Sequence, residues 1–229
     1  MNTSRWKNWL IYRLHDRELL RVAREHFCGR LVDIGCGTKP YRAALAPLLS
    51  EHVGVDHAAS PHDGSNVDLC GTAYAIPAEP GAFDGAVCTA VLEHLEEPEQ
   101  ALRECFRVLK PGGTAVYTVP FIWHIHEEPR DFYRFTKYGL TYLFTKAGFE
   151  IVELKALSGF FTTFGTLLGY YLHRLNRGPI RWTRVVPATA LAIQFAALLL
   201  DKLSRDERYT WMYLMVARRP GTAPEAPAA

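Results

Sequence analysis

An α/β fold built on an open, mostly parallel sheet is what the 229-residue sequence predicts, and three observations predict it. Residues 31–34 form a short apolar run that ends in Gly35-Cys36-Gly37, a turn whose glycines admit positive φ and let a ligand approach the main chain. A helix-compatible segment follows, and residues 52–56 are a second apolar run tipped by the acid Asp56. Together these make the βαβ pattern of a nucleotide-like ligand site at the carboxyl end of the first strand. The alternation then repeats, with a strand at 83–88, an amphipathic helix at 98–109 and a β-branched strand at 114–119.

In chain order, residues 6–27 place Trp6, Trp9, Leu10, Leu14, Leu19, Leu20, Val22 and Ala23 at helical spacing. They predict a leading helix that covers the sheet, capped by Thr3 or Ser4. Residues 40–49 suit a helix interrupted by Pro47, and a loop rich in Pro, His, Asp and Gly holds the apolar step Val67-Asp68-Leu69. The helix opened by Pro98 buries Ala101, Leu102, Cys105, Phe106 and Leu109. Lys110-Pro111-Gly112-Gly113 reads as its stop signal. Thr136 caps a helix that runs through Lys146 and closes at Gly148, and strands are expected at 149–154 and 209–217. The tail from Pro220 is Pro- and Ala-rich and expected to be disordered.

The bulk properties narrow the setting. A formal net charge of +2 gives no support to a nucleic-acid partner, because phosphate recognition needs clustered Lys and Arg. Cys28, Cys36, Cys70, Cys88 and Cys105 are scattered, without a CxxC pair, which fits free thiols in a reducing compartment. Charges interrupt the aromatics of residues 1–10, so no secretory signal is expected there and the body is assigned to the cytoplasm.

Several motifs now stand in register: Asp33-x-Gly35-x-Gly37, Asp56, Val67-Asp68-Leu69, Phe83-Asp84 with Val91-Leu92-Glu93-His94, and Leu109-Lys110-Pro111-Gly112-Gly113. In this order they resemble the class I S-adenosylmethionine-dependent methyltransferases, most closely the small-molecule group called methyltransferase type 11. The resemblance covers about residues 29–154 plus the last strand. It implies a Rossmann-like, seven-stranded, mostly parallel sheet of order 3-2-1-4-5-7-6, its last strand antiparallel. By the same likeness, Asp33 and the backbone of Gly35, Cys36 and Gly37 hold the methionine portion of S-adenosylmethionine, with Tyr41 closing the turn. Asp56, with His57 beside it, takes the ribose hydroxyls; Asp68 and Leu69 flank the adenine; Thr89 and Ala90 close over the cofactor. The family's third glycine is Lys39 here, so the turn must close differently. A dinucleotide fingerprint would need its third glycine where this chain has Pro40, which favours S-adenosylmethionine over NAD.

Residues 120–136 carry the densest chemistry. The segment from His126 to Thr136 also resembles a subgroup of bacterial methyltransferases encoded among cell-envelope or polysaccharide genes. Methyl transfer to a hydroxyl needs an aligned nucleophile and removal of its proton. His126 or His124 is the natural base, with Glu127 or Asp131 to orient it. Arg134 either holds an anionic acceptor or pairs with Asp131. A purely structural network of Glu128, Asp131 and Arg134, with the aromatics as core, is the competing reading. Glu93 and His94 are expected to shape the loop edge. No metal site is expected, since His124-x-His126-Glu127 offers too few ligands.

Residues 156–172 and 185–200 carry no charge, and between them Arg174, Arg177, Arg181 and Arg184 stand without an acid. Each apolar run falls short of the roughly 20 residues of a spanning helix. Phe160, Phe161, Phe164, Leu167, Leu168 and Tyr171 share a helical face, and Gly165-x-x-x-Gly169 offers a close-packing one. A lid over an apolar acceptor, a homodimer interface and a dock on an anionic membrane are the open readings. The expected organisation is a helical cover (1–28), a methyltransferase core (29–157), an apolar helical insertion (158–205), the last core strand (206–219) and a tail (220–229). The expected function is S-adenosylmethionine-dependent methyl transfer to a small-molecule, glycan or lipid-linked acceptor, at oxygen. Its rivals are a non-catalytic cofactor-binding protein of the same fold and an NAD(P)-dependent oxidoreductase.

Overall fold

The computed structural model describes residues 8–58, 60 and 64–221. The proposed caps Thr3 and Ser4, Trp6, and the tail beyond Gly221 lie outside the described residues. The elements are α1 (Trp9–His26), β1 (Arg30–Ile34), α2 (Arg42–Leu45), β2 (Glu51–Asp56), β3 (Leu69–Cys70), β4 (Phe83–Thr89), α3 (Pro98–Val108), β5 (Leu109–Pro120), α4 (Lys137–Lys146), β6 (Glu150–Ala156), α5 (Phe160–His173), α6 (Ile180–Thr183), α7 (Val185–Leu203) and β7 (Met212–Arg218). The seven strands pair in the order β3-β2-β1-β4-β5-β7-β6, as the family resemblance implies. Strands β1 to β5 are mutually parallel, with Val32 opposite Val53 on one side and Ala86 on the other. The last strand runs antiparallel to β5: Arg219 exchanges backbone hydrogen bonds with Gly112 and Gly113 near the start of β5, while Phe121, just past its end, donates to Trp211.

Three local expectations are corrected. The helix expected over 40–49 is one turn of α-helix followed by a 3₁₀ turn at Ala46–Leu48, because Pro47 removes the amide that would continue it. The Lys110–Gly113 segment does not separate helix from strand. It is an irregularity inside β5, with Leu109 already paired to Phe83 and the ladder resuming at Thr114 opposite Gly85. Gly112 sits there at φ 82. The last strand starts at Met212 rather than Tyr209, after a 3₁₀ turn over Glu207–Tyr209.

The chain divides into two compact units. One comprises residues 20–119, 127–154 and 214–229 and contains β1 to β4, α3, α4 and most of β5 and β6. Its core is the double-sided apolar face of the sheet, including Leu31, Val32, Val53, Val55, Ala86, Val87, Val116 and Tyr117. Here α4 is capped as expected, Thr136 accepting from the Gly139 amide at 3.1 Å.

The other unit comprises residues 1–19, 120–126 and 155–213 and is dominated by the hairpin of α5 and α7. Gly165 lets the helices touch, since a Cβ there would lie 2.8 Å from that of Ala197. The start of α5 is capped by a residue distant in sequence: Asp201 of α7, buried, accepts from the amides of Gly159, Phe161 and Thr162 at 3.0 to 3.1 Å.

Candidate active site

The carboxyl ends of β1, β2 and β4 converge with the turns that follow them, as an open α/β sheet requires of a ligand crevice. Gly35 and Gly37 both take positive φ, 69 and 46. A side chain at Gly35 would strike the Val91 methyls at 2.6 Å, so only glycine lets the β1 turn close against the turn after β4. The Asp56 carboxylate accepts from the Gly37 amide at 2.9 Å and from the His57 amide at 2.8 Å. Each oxygen keeps acceptor capacity for a ligand hydroxyl. Asp56, His57, Ala58, Val67, Asp68 and Cys70 are among the residues lining a cavity of about 370 Å³.

The departure at the third glycine has a definite solution. Lys39 adopts the left-handed conformation glycine would take there (φ 50) and turns its side chain inward, where it is 2% exposed. Its ammonium donates to the His52 carbonyl at 3.1 Å and to the Asp68 carboxylate. Asp68 also accepts from the Gly54 amide at 2.7 Å. Burial would raise its pKa, but the hydrogen bonds from Lys39 and Gly54 outweigh that and hold the carboxyl below its ordinary range. Gly54 makes room for this arrangement: a Cβ there would sit 2.1 Å from Cε of Lys39 and 2.7 Å from Sγ of Cys36, so the lysine would have to move. Asp33 is engaged by His52, whose Nε2 lies 3.0 Å from its carboxylate, both buried between β1 and β2. Cys36 is buried beside Asp33 and Asp56, its thiol pushed up to about 12 by burial and then by those carboxylates, so it packs as a neutral group. Tyr41 opens α2, Leu69 pairs with Val55, and Thr89 ends β4. Ala90, at φ 51, donates its amide to Thr118.

These residues fit S-adenosylmethionine better than a dinucleotide. Two carboxylates, Asp56 and Asp68, border the cavity. The turn offers no pyrophosphate cradle, because Pro40 has no amide proton and the nearby Lys39 cation is spent on Asp68.

The second half of the expected catalytic loop clamps onto the turn after β4. Phe132 and Tyr133 donate their amides to the Glu93 carbonyl at 2.9 and 3.2 Å, and the Tyr133 hydroxyl donates to the Glu96 carbonyl at 3.0 Å. His94 donates from Nδ1 to the Arg130 carbonyl. Its Nε2 is 3.8 Å from both Glu93 and Glu127, and Nδ1 is 3.9 Å from Asp131. Arg134 takes the second of its expected roles, pairing bidentately with Asp131 at 2.7 Å. Arg130 reaches His57 of the cavity wall at 3.4 Å. Glu93 is fully buried, and burial pushes its carboxyl up to about 8, with Arg134 pulling it down and Asp131 and Glu127 pushing it further up. It therefore carries a proton at neutral pH. Phe135 is core, but Phe132 and Tyr133 are exposed, which corrects the reading of these aromatics as uniformly internal.

Glu127, Asp131 and Arg134 are thus brought together around His94, a residue the sequence placed only at the loop's edge. His94 does shape that edge, through Arg130. The remaining candidates fall in the other unit. There the His124 ring packs on Trp123 and Tyr170 at 4.8 and 5.0 Å and donates from Nδ1 to the Ile125 carbonyl, while the His126 ring lies 6.2 Å from it. His52 and Arg130 were missed by sequence reasoning, which had named Lys39 only as a departure in the turn and Glu93 only as a residue of the loop edge. The available signals were the Lys at a glycine position and the Glu-His pair directly after β4.

Comparison with known proteins accords with this geometry. Residues 32–117 match the family model described as a methyltransferase domain. The ubiquinone biosynthesis O-methyltransferase of Pseudomonas fluorescens is 32% identical over 146 residues, 57% of this chain and 60% of that protein. The chain therefore spans less than two thirds of that relative's length. The Burkholderia thailandensis enzyme of the same name is 30% identical over 178 residues, 63% of this chain and 77% of that protein. Among solved structures, the [4+2]-cyclase SpnF superposes with a TM-score of 0.60 at 22% identity, covering 89% of this chain and 81% of that one, a likeness of fold. With the glycine turn, the acid-tipped β2, the characteristic strand order and these relatives agreeing, the chain belongs to the class I S-adenosylmethionine-dependent methyltransferases.

Proposed function

We propose that this protein transfers the methyl group of S-adenosylmethionine to an oxygen of a small-molecule, glycan or lipid-linked acceptor. The observation that carries the reading is the clamp of residues 127–134 on the Glu93–Glu96 turn. It gathers an imidazole and a group of carboxylates on a loop whose Arg130 reaches His57, a residue of the cavity wall that Asp56 also borders. The likeness to proteins named O-methyltransferases supports oxygen as the methylated atom.

Asp56 would receive the ribose hydroxyls, Val67 and Leu69 would flank the adenine beside Asp68, and the Gly35–Gly37 backbone would approach the methionine portion. Bound there, S-adenosylmethionine supplies an electrophilic methyl on a sulfonium, which leaves as a neutral thioether when the acceptor oxygen takes the methyl. The chain's own task is to orient that oxygen and accept its proton. A histidine does this. His126 is the candidate on sequence grounds. His94 is a second, because its Nδ1 proton is committed to Arg130, which leaves Nε2 as the basic atom, facing Glu127. Protonated Glu93 and the Asp131–Arg134 pair hold the loop in place and keep its charge local.

The test is mass spectrometry of bacterial small-molecule and lipid extracts incubated with the protein and methyl-labelled S-adenosylmethionine. An O-methylated product is expected. With it in hand, His126→Ala and His94→Gln are compared: the base variant loses turnover by about 10²–10⁴-fold at unchanged cofactor affinity. Cofactor binding without any labelled product would favour the non-catalytic reading, and binding of NAD in its place the oxidoreductase.

A further inference from the structure

The helical hairpin of α5 and α7 is polar inside and apolar outside. On α5 the buried residues are Thr162, Thr163, Thr166 and Gly169. Its exposed stripe is Phe160, Phe164, Leu168 and Tyr171, at steps of three and four. On α7 the buried face is Pro187, Ala190, Gln194, Ala197 and Asp201, with Gln194 accepting from the Leu10 amide and Asp201 capping α5. Its outer face shows Val185, Phe195, Leu199, Leu200 and Leu203. A hairpin stabilised in water has the opposite arrangement, burying its large apolar side chains and exposing its polar ones. Helices that face lipid meet through small and polar residues, as these do, and turn bulky apolar groups outward.

The turn joining the helices completes the pattern. Arg174, Arg177, Arg181 and Arg184 are all exposed, next to Leu175, Ile180 and Trp182, the last 76% exposed. The Arg181 guanidinium stacks over the Trp182 ring at 4.8 Å. No acid occurs between Glu153 and Asp201. A second copy of the hairpin would bring these arginines no counter-charge, whereas anionic phosphates would.

We propose that this hairpin docks on an anionic lipid bilayer. It lies in the interfacial plane with its outer apolar faces in the acyl boundary and its arginine turn among the headgroup phosphates. Contrary to the expectation from the uncharged run 185–200, helix α7 extends to Leu203 and at 19 residues is long and apolar enough to cross a membrane by length and composition. Its partner α5 has 14 residues and reaches about 21 Å, short of the roughly 30 Å hydrocarbon core, which favours lying in the interface over spanning. This inference is independent of the methyl-transfer reading.

The test is co-sedimentation of the full chain with vesicles of phosphatidylcholine alone and of phosphatidylcholine mixed with phosphatidylglycerol. Binding to the anionic vesicles is expected to be at least about tenfold tighter and to weaken with salt. The double variant Arg177→Glu/Arg181→Glu should lose that preference, and Leu168→Ser/Phe195→Ser should lose binding to both vesicles. These residues are exposed, so circular dichroism and S-adenosylhomocysteine binding should be unchanged, which separates loss of docking from loss of fold. Trp182 fluorescence should be quenched by brominated lipid, and the quenched component should vanish in Trp182→Phe. A protein that stays in the supernatant with both vesicles overturns the proposal. So does a stable dimer in sedimentation velocity that ignores lipid and dissociates in Leu168→Ser/Phe195→Ser, since the apolar faces would then belong to a second copy.

Discussion

Lys39 and Asp68 show how one residue reshapes a familiar turn. The lysine occupies a backbone conformation that glycine takes without cost, and the ammonium it carries inward needs a partner. That partner is half-exposed while the lysine is almost wholly enclosed, so the two ends of the pair are not equivalent. Removing Asp68 strands a buried cation with only the His52 carbonyl, whereas removing the lysine charge leaves an acid that water can reach. Asp68→Ala should therefore cost about 3 kcal/mol, and Lys39→Met no more than about half of that. Urea unfolding of the two variants measures this, and the opposite ranking would show that the ammonium is not held by Asp68.

At the scale of elements, the 127–134 loop is held by backbone hydrogen bonds to the turn after β4 and by a buried acid beneath it. The folded-state pKa of Glu93, about 8, lies above its ordinary value of 4.5, so the folded chain binds this proton more tightly than the unfolded one. The associated stability is complete below pH 4.5 and is lost as pH rises toward 8. Glu93→Gln keeps the shape without the ionisation. Its stability relative to the parent should grow with pH across that window, by up to a few kcal/mol, and level off above it. Denaturant titrations at several pH values follow the difference, and a flat one would mean that Glu93 ionises freely. The α5–α7 hairpin holds together through small residues at the crossing and Asp201, distant in sequence, at the start of α5.

For the molecule as a whole, a ligand that binds only the folded state raises stability by mass action. S-adenosylhomocysteine at a hundredfold excess over its dissociation constant should add about 2.7 kcal/mol, a rise of about 5–10 °C in melting temperature for a chain of this size. NAD should add nothing, since the turn lacks a pyrophosphate cradle. Thermal denaturation with each cofactor distinguishes them, and a shift with NAD alone would overturn the cofactor assignment.

The alternation of apolar strands with amphipathic helices, the Gly35–Gly37 turn and the acids at 56 and 68 were legible in the chain because each rests on local spacing and backbone chemistry. So was the cap at Thr136, whose partner is three residues away. Partners far apart along the chain were not. Periodicity cannot say that Lys39 reaches Asp68, that Asp201 caps a helix forty residues earlier, or that His94 stands among Glu93, Glu127 and Asp131. The uncharged runs 156–172 and 185–200 announced helices, but not which face would be buried. Tertiary packing decided that: it buried threonines, Gln194 and Asp201, with Asp201 capping α5, Thr163 bonded to Ser158 and Gln194 accepting from the Leu10 amide, and it left phenylalanine and leucine outside.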